Sequence, residues 1–140
     1  FDTAADGAAH RDTIGYRELF RRVADLDIDD AALIGFSLGA SFAQRLCRVG
    51  VRLVCLIGAL DPHPADRIWC GVDVQLHHLA EDPWVDDEDI IDFRNAVGAT
   101  GAMFDHYSTP GSGHLFTEPS QPEYDRDLTE LTIDRIIAAL

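Results

Sequence analysis

Residues 31–44, AALIGFSLGASFAQ, constrain this chain more than any other stretch. A short apolar run from Ala31 to Ile34 leads into Gly35-Phe36-Ser37-Leu38-Gly39, and small and apolar residues at helical spacing follow. Strand, G-x-S-x-G, helix is the pattern of a nucleophile elbow, a tight turn that lifts one side chain above the carboxyl end of a strand. Gly35 and Gly39 are expected to flank the turn because a Cβ there would strike the neighbouring strand or helix. Ala40 and Ala43 are expected to keep the helix close to the sheet. The helix N-terminus then aims free N–H groups at Ser37, where negative charge develops in acyl transfer. An ordinary Gly-Ser turn between strand and helix would share the spelling without the chemistry.

The elbow implies a sheet, and the rest of the chain supplies strands for it. Val51–Gly58 (VRLVCLIG) is a nearly continuous apolar run of strand length, as suits a parallel strand covered on both faces. Val74–Leu79 and Met103–Ser108 read as two further strands. Helical patterns alternate with them. Ile14–Leu26 places Ile14, Leu19, Phe20, Val23 and Leu26 on one broad face. Phe42, Leu46 and Val49 continue the elbow helix to a cap at Gly50. Asp86–Val97 opens on four acids, which favour a helix N-terminus, with Ile90, Ile91, Phe93 and Val97 as its apolar side. Tyr124–Leu140 turns Leu128, Leu131, Ile136, Ile137 and Leu140 inward. Residues 1–12, Asp27–Asp30, Ala59–Val72 and Thr109–Gln121 read as irregular. The expected architecture is α/β: a doubly wound, mostly parallel sheet of about four strands with flanking helices, in one domain spanning residues 1–140.

A serine hydroxyl needs a base within hydrogen-bond reach, and the base needs an orienting partner. The late loop offers His114 in PGSGHLF, where the preceding glycines let the chain bend an imidazole over a strand end. It lies at the carboxyl edge of the sheet, where ligands bind in such folds. The preceding strand ends at Ala80-Glu81-Asp82-Pro83-Trp84, which offers Asp82 as the acid, with Glu81 and Asp86 as rivals. The spacings leave room for one helix and one strand between successive members. Asp82 could otherwise only cap the turn before Pro83, and His114 could only tie its own loop. Phe36, Trp84 and Phe116 are candidate walls of an apolar substrate pocket, though such aromatics more often fill a core.

Other readings are weaker. His77 and His78 are adjacent in a strand, point to opposite faces and cannot grip one metal together. Asp61 and His63 lack a third ligand at suitable spacing, so no metal site is expected. His106 is expected to fill a half-buried sheet face. The formal net charge is −14, and all the basic residues are arginine. That argues against nucleic acid or an anionic membrane as partner. Cys47, Cys55 and Cys70 form no C-x-x-C motif, and Cys47 and Cys55 read as small buried apolar residues. No apolar run approaches the roughly 18 residues of a membrane span, and no signal-like segment opens the chain, so a cytoplasmic protein is expected.

GFSLGASFAQRL, VQLHHLAEDPWV and YSTPGSGHLFTEPSQPEYD together resemble the dienelactone hydrolase family of α/β-hydrolases, from about residue 31 to the end. The resemblance implies Ser37 as nucleophile, Asp82 as acid, His114 as base, and no metal or organic cofactor. It implies hydrolysis of small ester or lactone bonds. Three departures qualify it. Ser37 stands where founding members carry cysteine, which favours ordinary ester chemistry. Glu118 stands where those enzymes place an arginine for a substrate carboxylate, which disfavours anionic substrates. Nothing in this chain reads as the family's first strands or as the loop that supplies the other oxyanion N–H, so it is expected to be N-terminally truncated, with the Leu38 N–H as the remaining oxyanion donor. An alternative follows from the last point: an impaired or inactive fragment whose Ala31–Phe36 edge, left exposed, drives oligomer formation or association with a partner chain.

Overall fold

In a computed structural model of the chain, residues 3–140 are described; Phe1 and Asp2, part of the expected irregular opening, lie outside them. The elements run α1 (Ala4–Ile14), α2 (Tyr16–Ala24), β1 (Ala32–Phe36), α3 (Leu38–Leu46), β2 (Leu53–Ile57), β3 (Val74–Glu81), α4 (Asp87–Gly98), β4 (Phe104–Ser112) and α5 (Arg126–Ala139). The four strands form one parallel sheet in the order β1-β2-β3-β4, flanked by helices, as the α/β reading expects.

Alternation along β2 explains the continuous apolar run. Val54 and Leu56 face one side, where they join Val74, Leu76, Ala40 and Ala43 of α3 and Ile90, Phe93 and Val97 of α4. Leu53, Cys55 and Ile57 face the other, packed with Leu79, Phe116 and the α5 residues Leu128 and Ile136. Each strand residue is therefore buried whichever way it points, so polar alternation never shows in the sequence. Ala40 is fully buried, and this small side chain is what lets α3 lie against the sheet.

Several element boundaries differ from expectation. Residues 4–14 are helical. Thr3 caps α1 by accepting a hydrogen bond from the Asp6 N–H, and the alanines favour helix even without an apolar stripe. Gly15, at φ +87°, separates α1 from α2, so Ile14 closes the first helix and Leu26 lies exposed beyond the second. α3 stops at Leu46 with Cys47 as its C-cap; Val49 is exposed, and Gly50 belongs to the turn into β2. β4 runs on to Ser112 because β3 also continues, through a register shift between Leu79 and Glu81. Pro110 is tolerated because β4 is a sheet edge. Ile91 on α4 and Leu131, Ile137 and Leu140 at α5 are exposed rather than inward, since each helix packs one narrow stripe on a single sheet face. At the other edge, β1 pairs only with β2 among the described residues, and Ile34 and Phe36 are about half exposed. Among the described residues, no helix is long and apolar enough to cross a membrane.

Candidate active site

Ser37, between β1 and α3, has φ +52° and ψ −120°, a backbone conformation that L-residues avoid and that active sites retain. The turn is clamped on both sides. The Ser37 N–H donates to the Ile57 carbonyl at 2.8 Å, and the Ser37 carbonyl accepts from the Ala40 N–H at 2.8 Å. A Cβ on Gly35 would fall on the Gly39 carbonyl and the Ala40 nitrogen, so glycine is required there. Gly39 is different from expectation: a Cβ on it would meet nothing among the described residues. The close approach in this turn is made by Gly35 against the Gly39 backbone, one contact in which only one partner must lack a side chain.

His114 follows β4 and is buried. Two glycines shape its surroundings. Gly113 has φ +126°, and Gly58, at φ +71° just beyond β2, lies so close that a Cβ would sit 2.9 Å from the His114 carbonyl oxygen. Both the His114 and the Leu115 N–H groups donate to Glu123 Oε1, at 3.3 and 3.1 Å. Those donors, Leu115 foremost, hold the Glu123 carboxyl below the usual carboxylate range. Glu123 and Gly58 went unnoticed in the sequence. Glu123 lies within the late block and Gly58 closes an apolar run, and no residue pattern there ties either of them to His114.

Asp82 lies just past the irregular end of β3, its carboxylate fully buried. Its Oδ1 accepts the Trp84 N–H at 2.9 Å, and its two oxygens lie 3.0 and 3.1 Å from His114 Nδ1. The rivals are elsewhere: Glu81 is exposed, and Asp86 caps α4 through the Glu88 N–H. On the other side of the ring, His114 Nε2 lies 2.7 Å from Ser37 Oγ. A carboxylate can only accept, so Nδ1 carries the hydrogen and Nε2 presents its lone pair to the serine hydroxyl. The structure thus brings Ser37, His114 and Asp82 into one hydrogen-bonded line. Leu38 opens α3, and its N–H is among those a helix leaves without an internal partner.

The line borders a cleft of about 730 Å³. Phe36, Leu60 and Trp84 provide apolar wall, α1 contributes Gly7, Ala8 and Arg11, and Glu118 lies on the rim. The Trp84 ring is 5.9 Å from the His114 ring. Phe116 is not part of this wall. It is 1% exposed and packs under α5, because the chain turns inward after His114 and the Phe116 carbonyl accepts from the Asp125 N–H. Asp61 lines the cleft as well, but its carboxylate is engaged by Ser41 Oγ at 2.6 Å and Arg45 Nε at 3.0 Å. His63 bonds the Arg67 carbonyl instead of sharing a ligand with it. His77 and His78 do point apart: one stacks on Tyr107, the other on His106.

No protein-family model and no curated protein matches the sequence at a significant level. Solved structures do match. A protein named m3DLH is 21% identical with a TM-score of 0.71, over 95% of this chain and 63% of its own. The dienelactone hydrolase-like promiscuous phosphotriesterase P91, from metagenomic libraries, is 20% identical with a TM-score of 0.71, over 94% and 63%. The Bacillus cereus carboxylesterase is 14% identical with a TM-score of 0.59, over 89% and 60%. The chain therefore spans about 63% of the length of the first two structures it resembles. At these identities the likeness establishes the fold, that of α/β-hydrolases.

Proposed function

We propose that this chain carries the nucleophile, base and acid of a serine hydrolase acting on small uncharged esters or lactones, in the manner of dienelactone hydrolase-like enzymes. The observation that carries the reading is the continuous line from Asp82 through both nitrogens of His114 to Ser37 Oγ. Ser37 attacks the carbonyl carbon while His114 Nε2 takes the hydroxyl proton. Asp82 holds the imidazole in the tautomer that makes this possible and offsets the charge of the imidazolium. The Leu38 N–H, at the positive end of α3, receives the oxyanion. His114 then returns the proton to the leaving alkoxide, and water repeats the sequence on the acyl-enzyme.

The cleft supports the substrate class. Its volume suits a small molecule. Arg11, which lines it, is bound to Asp12 at 2.7 Å, and Arg45 beside it is held by Asp61 at 3.0 Å, while Glu118 and the overall negative charge disfavour a carboxylate. The hydrolase names of the matched structures agree with the reaction type.

Rapid mixing with p-nitrophenyl acetate tests the reading. The expected result is a burst of nitrophenolate stoichiometric with protein, followed by slower turnover, and weaker turnover of an ester bearing a free carboxylate. Absence of any burst or turnover above that of Ser37→Ala would contradict it.

A further inference from the structure

The described cysteines are all free, and two of them meet. Cys47, the buried C-cap of α3, lies with its sulfur 2.7 Å from that of Cys70, which is half-buried in the segment between β2 and β3. A disulfide bond is about 2.05 Å long, so closing it asks for little movement. Cys55 is apart from them, on the opposite sheet face, with only the Gln75 amide oxygen at 3.9 Å. Nothing in the proposed chemistry uses either member of the pair.

The position of the pair is informative. The segment from Gly58 to Asp73 crosses from β2 to β3 without a helix and supplies Ala59, Leu60, Asp61 and Pro62 to the cleft. Its first part is already fastened to α3: Asp61 binds Ser41 and Arg45 through its carboxylate, and Gln44 through both backbone groups. At its far end, Cys70 meets the last turn of the same helix. We infer that Cys47 and Cys70 are a redox pair that closes into a disulfide and fastens this cleft-forming segment to α3 at its second end.

The oxidant is a small disulfide such as oxidised glutathione. The more accessible Cys70 thiolate attacks one of its sulfurs and releases one small thiolate, which takes up the proton Cys70 gave. Cys47 then loses its proton, attacks the Cys70 sulfur and expels the second small thiol. Two protein thiols and one small disulfide become one protein disulfide and two small thiols. Burial, and then the bond to Cys70, hold the Cys47 thiol far above its ordinary pKa, so the second step is the slow one and quickens as pH rises.

Incubating the chain with oxidised glutathione, then mapping peptides by mass and counting free thiols under denaturing conditions, tests the inference. The expected product is a monomer with a Cys47–Cys70 linked peptide, Cys55 alone titrating, and a melting temperature about 5–10 °C higher that dithiothreitol reverses. Cys55→Ala should still form the bridge and Cys70→Ser should not. The inference is overturned if three free thiols persist in protein whose circular dichroism is native. A stable glutathione adduct on Cys70 with Cys47 still free, or a bridge formed only between chains, overturns it equally.

Discussion

His114 Nε2 lies 2.7 Å from Ser37 Oγ across 77 residues of sequence, a contact made by two loops at the same end of a parallel sheet. β1 stops one residue before Ser37, β4 leads to His114, and β3, between them in the sheet, stops one residue before Asp82. Parallel strands place all their carboxyl ends together, so three residues far apart in the chain meet without any local motif linking them.

Ser37→Ala and His114→Ala should each lower kcat on a neutral ester by at least about 10³-fold, and Asp82→Asn by about 10⁴-fold through the wrong tautomer. The double variant Ser37→Ala/His114→Ala should be hardly worse than either single one, because the residues act as a unit. Multiplying losses in the double variant, measured by steady-state kinetics, would contradict this.

The elbow should trade stability for chemistry. Ser37 holds φ +52° without being glycine, a strain of about 1–3 kcal/mol. Ser37→Gly should relieve part of it and raise the urea midpoint by an amount worth about 1 kcal/mol, while abolishing turnover. Ser37→Ala keeps the strain, so its midpoint should stay near wild type.

Gly58→Ala combines a left-handed backbone with a Cβ 2.9 Å from the His114 carbonyl oxygen. It should cost about 1–2 kcal/mol in urea melts and displace the histidine loop, lowering kcat more than it raises KM. Glu123→Ala should act on the same loop from the other side by releasing the His114 and Leu115 N–H groups. A fall in kcat of about tenfold to a hundredfold is expected, with native circular dichroism.

Stability should fall in mild acid through His77. This ring is 1% exposed and stacks on Tyr107. Nε2 contacts the Gln75 amide oxygen, and Nδ1 lacks a partner among the described residues. Burial foremost, then the charges of Arg135 and His78, push its pKa down to about 4. The unfolded chain takes up this proton near pH 6.5, the folded chain only near 4, so between those values the unfolded state binds more protons. Stability therefore drops as pH falls through that window, by up to about 3 kcal/mol, and the loss is complete below it. His106, also shifted down by burial, adds in the same direction. Urea midpoints at pH 7 and 4.5 should differ less in His77→Phe than in wild type; equal differences would remove His77 as the cause.

The sequence made legible whatever depends on local spacing. Gly35 and Ser37 declared the turn, the apolar run around Cys55 declared a covered strand, and the glycines before His114 declared a loop able to bend. Contacts across the sheet were not legible. Phe116, two residues past His114, gave no sign that it turns under α5. The meeting of Cys47 with Cys70 depends on how separate segments pack, and that of Glu123 with the histidine loop on how the loop folds back on itself; no periodicity records either. α1 escaped because its stability rests on the Thr3 cap and alanine propensity rather than on an apolar stripe.

On the proposed reading, Ser37 is a nucleophile activated by His114. Exposing the chain to a fluorophosphonate and mapping the modified peptide by mass examines this activation. A single adduct is expected, on Ser37, that is lost in Ser37→Ala and strongly slowed in His114→Ala although Ser37 is still present. Labelling at another residue, or labelling of Ser37 at an unchanged rate without the imidazole, would contradict it.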